Sequence, residues 1–266
     1  MKMKSKFKFS LMLLTVIFLY NCKSTKEISS NEQLPLKDIG STGKVTFIYQ
    51  NQTVTYTTVR AADGDIWLQQ NLGSDNVASS MTDKTAYGDL YAWGRWMDGH
   101  ENRLNAPISL NTIANPNNPK ALTKNAENKF LAHPKVTGYW WIQGTDQDLW
   151  SNSKAEYVDE YNGCDPCRQA LGKKWRLASK EEWEYVISEE KITDFKSAYN
   201  SNLKIPLAGY RSGADGLIKN EDKLARFWTN TSSNKGNAFL VNIVAKGVDV
   251  PAYSRSGGLS IRCIRK

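Results

Sequence analysis

Trp175-Arg176-Leu177-Ala178-Ser179-Lys180-Glu181-Glu182-Trp183 (WRLASKEEW) is where this chain changes its period. Ser179 and Glu182 stand at the S-x-x-E spacing of a capping box, in which each satisfies a backbone N–H that the first helical turn leaves free. Behind them Trp183, Val186 and Ile187 fall on one face, which predicts a helix over 180–191. On either side the signals are those of strands. Residues 44–50 (KVTFIYQ) and 53–60 (TVTYTTVR) are β-branched and aromatic, with Asn51-Gln52 between them as a hairpin loop. Residues 66–72 (IWLQQNL) follow the turn signal Asp63-Gly64, and 203–208, 225–229, 238–246 and 259–264 continue the pattern. In the last of these Leu259, Ile261 and Cys263 alternate with Ser260 and Arg262, as on a half-buried strand. The Asn- and Pro-rich stretch 107–126 reads as a long irregular loop. Many short strands around few helices predict an antiparallel α+β domain.

The 266 residues allow one large domain or two small ones, and 40% apolar with 23% charged residues is ordinary globular usage. Two His exclude a His-rich metal site, and four Cys exclude a disulfide-dense miniature scaffold. The net charge of +8 is misleading. Lys2, Lys4, Lys6 and Lys8 precede the apolar run 9–20 (FSLMLLTVIFLY). That run is too short to cross a hydrocarbon core, which takes about 20 residues, and has the form of an export signal. It ends in Leu19-Tyr20-Asn21-Cys22, which resembles a bacterial lipobox, although Asn21 is larger than the usual Gly or Ala. Residues 1–21 are therefore expected to be a lipoprotein signal peptide, with a lipid on Cys22. Residues 22–43, free of aromatics, would be a flexible tether, and 44–266 the folded domain. Loss of the four lysines leaves +4, and no basic stripe interleaved with aromatics remains to bind nucleic acid. Arg255, Arg262, Arg265 and Lys266, the densest basic cluster, read as a solvated strand face.

Further blocks carry a resemblance. Thr57-Thr58-Val59-Arg60 leads into Trp67-Leu68-Gln69-Gln70-Asn71-Leu72, and Tyr87-Gly88-Asp89-Leu90-Tyr91-Ala92-Trp93-Gly94 follows. Asp148-Leu149-Trp150, Asp165-Pro166-Cys167, the opening block, Leu207-Ala208-Gly209-Tyr210-Arg211, Phe227-Trp228-Thr229 and Ser260–Arg265 complete the set. In this order they resemble the Fibrobacter succinogenes major paralogous domain, over residues 44–266 and most weakly between 97 and 145. Ala178 departs from that family's usual Pro, and 164–174 holds an extra Cys. The family is similar in turn to the formylglycine-generating, sulfatase-modifying proteins. The resemblance implies a C-type lectin-like domain whose first and last strands pair, with long irregular loops. It also implies a lipoprotein of the Bacteroidota outer membrane, on either its periplasmic or its outer face. It further implies a disulfide between Cys167 and Cys263, with Cys164 left over or competing with Cys167 for its partner.

A zinc site would need a second C-x-x-C or C…H pair, and a redox pair would need a helix start inside a parallel sheet. Neither context is legible, and no cofactor is expected. The formylglycine-generating enzymes hold copper on two cysteines just before the closing strand. The equivalent stretch here, 248–258 (VDVPAYSRSGG), has none, so such an enzyme would be degenerate. His100 and His133 sit in polar contexts and read as exposed loop residues. Glu181-Glu182 and Glu189-Glu190 read as a solvated helix face. The expectation is a non-enzymatic binding or adhesion module with a glycan or an envelope protein as partner. The alternative is a structural or fimbria-associated subunit. Tyr139, Trp140 and Trp141 are the candidate sugar-stacking residues, unless their rings pack the loop's own core.

Overall fold

The computed structural model describes residues 32–95, 97, 99–109, 129–132, 150, 165–234 and 236–266. Along the chain the first strands are Glu32–Gln33 (β1), Thr42–Tyr49 (β2), Gln52–Arg60 (β3), Ile66–Leu68 (β4), Tyr91–Ala92 (β5), Pro107–Ser109 (β6) and Phe130–Ala132 (β7). Helix α1 (Pro166–Leu171), strand β8 (Arg176–Leu177) and helices α2 (Lys180–Glu189) and α3 (Phe195–Asn200) follow. The chain then continues through β9 (Tyr210–Arg211), β10 (Ile218–Lys219), β11 (Ala225–Asn234) and β12 (Asn237–Val244). Strands β13 (Gly247–Asp249), β14 (Ala252–Ser254), β15 (Gly258–Leu259) and β16 (Cys263–Arg265) complete it. The main sheet has the order β1-β2-β3-β4-β16-β8, a second runs β10-β9-β15-β5, and a third runs β11-β12-β13 with β14 also on β12. These ladders are antiparallel; β6 and β7 pair in parallel. The described residues thus form mostly antiparallel sheets with few helices.

Alternation builds the hairpin. Val45, Phe47 and Tyr49 of β2 point inward, while Lys44 and Ile48 face out. Its turn lies one residue earlier than the sequence implied. Tyr49 pairs with Gln52, and Gln50 and Asn51 both take positive φ, the twist that suits a two-residue hairpin loop. The domain also begins earlier than residue 44. Glu32 and Gln33, assigned by sequence to the tether, pair with Val45 and Lys44. The approach is so close that a Cβ on Gly43 would lie 2.1 Å from the Gln33 carbonyl oxygen. Glu32 also accepts a hydrogen bond from Trp175 Nε1 at 3.0 Å and pairs with Arg265, drawing the two edges of the main sheet together.

The capping box forms as predicted. Ser179 Oγ accepts the Glu182 N–H at 3.2 Å, and Glu182 Oε2 accepts the Ser179 N–H at 3.0 Å. The helix ends two residues early because Lys191 turns left-handed. Helix α1 was not foreseen. Its cap is Asp165 and its first residue Pro166, so Cys167 does stand at a helix start, though beside an antiparallel sheet.

Three expected strands change. Residues 66–72 leave the ladder after Leu68, where Gln70 Oε1 takes the Thr57 N–H and Asn71 turns to the Tyr87 carbonyl. Residues 203–208 join no ladder: Pro206 has no N–H to give, and the Ile205 and Leu207 amides bond to Ala198 and Met81. Residues 259–264 split between β15 in the second sheet and β16 in the main one. This crossing segment is covered on both faces, so Ser260 and Arg262 are as buried as Leu259 and Ile261. Strand β16 pairs with β4 and β8 rather than with the first strand. Pro107–Ser109, expected to open an irregular loop, is strand β6.

The core contains six of the nine Trp, namely 67, 93, 150, 175, 183 and 228, all without exposure. Cys167 and Cys263 form a disulfide with Cα atoms 5.6 Å apart, tying α1 to β16.

Candidate functional site

The tip of the first hairpin supplies one wall of an open groove of about 470 Å³. Tyr49, Gln50, Gln52 and Tyr56 come from that hairpin, Gly73, Asp75 and Lys84 from the following turns, and Asn102, Arg103 and Leu104 from a turn opposite. Asp89, from the YGDLYAW block, forms its floor. Asp89 Oδ2 accepts Tyr49 Oη–H at 2.7 Å and Gln50 Nε2–H at 3.1 Å, and Oδ1 accepts the Arg103 amide at 3.1 Å. Burial pushes its carboxyl above the usual carboxylate range, against the pull of these bonds. Behind it the hydroxyls of Tyr49 and Tyr91 lie 2.6 Å apart, and burial holds both phenols well above their ordinary value. A Cβ on Gly73 would stand 2.5 Å from Asp89 Oδ2, so only a glycine, here at positive φ, fits against this buried carboxylate.

The opposite wall is clamped from beneath. Arg103 donates from Nε to Gly88 O (2.8 Å) and from Nη1 to Ala208 O (3.1 Å) and Glu221 Oε1 (2.9 Å), and its guanidinium lies over the Tyr87 ring. Arg211 donates to the carbonyls of Asn102, Arg103 and Asn105, so the turn's backbone is gripped along its length. Burial, and then repulsion from Arg103, lowers Arg211 to about 10. Leu104, whose amide is capped by Asn102 Oδ1 at 2.9 Å, projects from this turn with 91% exposure.

Several residues read as solvated are part of the interior. His100 is fully buried: Nε2 accepts the Ala92 N–H at 3.0 Å, and Nδ1 faces Glu101 Oε2 at 3.3 Å. Arg255 is buried with its guanidinium 4.3 Å from the Trp93 ring centre. Arg262 is buried and donates to Asn71 Oδ1 (2.7 Å), Leu68 O (3.0 Å) and Leu203 O (2.7 Å). Of the basic cluster only Lys266 is exposed, Arg265 being mostly covered against Glu32. Glu182 is gripped by Arg176 through two 2.6 Å bonds, and Glu190 accepts from Ala62 N and from Asn202. The helix carboxylates are therefore structural ties as well as a wet face.

Cys22, His133, Tyr139, Trp140, Trp141 and Cys164 lie outside the described residues, as does Trp96. Among the described residues no group of three His, Cys, Asp or Glu is placed to hold a metal, and no helix is long and apolar enough to cross a membrane. The groove residues were missed because Asp89 sits in a block read only as carrying the family resemblance, and Arg103 lies in a stretch with no motif of its own. The only signal was a charge, Asp89, in a block that holds three aromatics, Tyr87, Tyr91 and Trp93. In comparisons with known proteins, no family model, no curated protein and no solved structure matches this chain.

Proposed function

We propose that this chain is a binding module of the bacterial envelope, tethered through a lipid on Cys22, whose ligand site is the Asp89 groove and whose ligand is a glycan. The observation that carries this is the groove itself. It is open, of ligand size, and lined by side chains that both give and accept hydrogen bonds, on walls held by the half-buried Arg103 and the buried Arg211. The Cys167–Cys263 disulfide fits an oxidising, exported location. The basic apolar leader and the Leu19–Cys22 lipobox support anchoring at the outer membrane, and the ordered motif blocks support a C-type lectin-like domain of the major paralogous family. A glycan array probed with the full chain tests the proposal. Binding that falls when Gln52 and Leu104 are replaced by alanine supports it, and a blank array contradicts it.

One observation favours a structural or fimbria-associated subunit instead. Strand β1 covers β2 only at Lys44 and Val45, so among the described residues the outer edge of 46–49 has no ladder partner. Were this edge open in the whole chain, it could recruit a strand from a partner protein. A blank array together with capture of an envelope protein at this edge would favour that role.

A further inference from the structure

We propose that residues 34–39 are a membrane-contact strap: Leu34, Leu36 and Ile39 enter the surface of the bilayer that holds the Cys22 lipid, and the Asp89 groove faces away from it. This rests on the lipid-anchor reading above and deepens it. Seven large apolar side chains are exposed among the described residues, and three of them fall within these six positions, Leu36 at 71% and Ile39 at 53% foremost. A single exposed Leu is ordinary, but a run of this density marks a contact surface.

Their outward aim is fixed by the backbone. Pro35 is buried between the exposed Leu34 and Leu36, so those two side chains leave on the same side. Beneath them a Cβ on Gly43 would stand 2.7 Å from the Leu34 carbonyl carbon and from the Pro35 nitrogen, so the strap lies directly on β2. The Leu36 carbonyl accepts Arg60 Nε–H at 2.6 Å and Ser41 Oγ–H at 2.9 Å. The Ser41 amide donates to Asp38 O at 3.0 Å, which sets Ile39 at the corner of a turn with Gly40 at positive φ behind it. Main-chain bonds hold the segment, and its Leu and Ile stay in water.

The partner follows from where the strap stands. Leu34 is twelve residues beyond Cys22, so even a fully extended chain parts it from the lipid by at most about 40 Å. A lipid that already holds the domain at a bilayer makes a weak apolar contact beside it effective, as in any tethered second binding event. Lys37 and Asp38, both exposed on the strap, offset each other, so apolar contact rather than headgroup charge is the attraction. The strap also sits at the suitable end. It touches Gly43 and Arg60 at the open end of the first hairpin, whereas the groove is lined by Tyr49, Gln50 and Gln52 at its closed end. The strand between Gly43 and Tyr49 spans roughly 20 Å at the usual rise. A bilayer under the strap therefore leaves the groove open to ligand.

Hydroxyl-radical footprinting of the acylated full-length mature chain on vesicles of phosphatidylethanolamine and phosphatidylglycerol tests this, against the same chain unacylated in solution. Oxidation of Leu34, Leu36 and Ile39 should fall about threefold or more on the vesicles, because side chains seated in the interface leave water. Leu104, at the groove, should keep its rate. In the double variant Leu36→Gln, Ile39→Gln the oxidation of Leu34 should return to the solution rate. Both positions are exposed, so this variant should keep the native melting temperature. Equal oxidation of the strap on vesicles and in solution, with Cys22 acylated by mass spectrometry, overturns the contact and leaves the anchor standing. Protection of Leu34 that persists in the double variant also overturns it, since proximity to the anchor alone would then account for the effect. A mature chain with no acyl group on Cys22 removes the anchor reading, and the strap with it.

Discussion

Arg262 is a cation whose hydrogen-bond partners are a neutral side-chain oxygen and two backbone carbonyls, with burial lowering it to about 9. Its role is to close three acceptors at the point where the chain crosses between sheets. Arg262→Met should therefore cost about 2–4 kcal/mol in urea unfolding, because those acceptors would be left without donors. An unchanged midpoint would contradict this. Asp165 is the opposite case, an anion satisfied by N–H groups. Burial raises it to about 6, although the amides of Leu177 and Cys167 pull it down. The folded state thus binds this proton more tightly than the unfolded chain, whose carboxyl titrates near 4. Its contribution grows as pH falls from about 6 to 4 and is lost as pH rises through about 6. Relative to Asp165→Asn, the native chain should gain on the order of 2 kcal/mol between pH 7 and pH 4, read from denaturant midpoints. Glu182 acts in the other direction. Burial alone would raise it, but Arg176, the Ser179 amide and Lys266 together hold it at about 2. Its stabilisation is complete above about pH 4.5 and disappears as pH falls toward 2.

Among the elements, α2 was the most legible because its signal is local: two capping side chains three residues apart and an apolar face behind them. The first hairpin was legible for the same reason, its turn excepted. Strand β1 was not, since Glu32-Gln33 has no strand signature of its own and is held by Gly43 on its neighbour and by Arg265 from the far end of the chain. The 259–264 segment misled because alternation in sequence does not reveal that both faces are covered. A chain beginning at residue 44 should accordingly unfold more readily than one beginning at 32, since it lacks β1 and the Glu32 bonds to Trp175 and Arg265. Equal melting temperatures would contradict the pairing. The disulfide spans 96 residues of sequence, and Cys263→Ser should cost roughly 4–5 kcal/mol in the chain-entropy picture. Reductant should then move the native chain's urea midpoint but not the variant's.

Across the molecule, buried arginines hold together what the short strands cannot. Arg211 grips one turn through its carbonyls, Arg255 stacks on Trp93 and Arg262 ties the crossover. The six Trp among the described residues all belong to this interior. The groove was illegible because its residues come from four separate stretches between 49 and 104, brought together by the hairpin and the Arg103 turn. Placing the ligand beside Asp89 is the central claim, and hydrogen exchange of the full chain with and without an array-positive glycan tests it most directly. Slowed exchange in 49–56, 84–89 and 102–104 is the predicted result; slowed exchange confined to other segments, with these three unchanged, would contradict it.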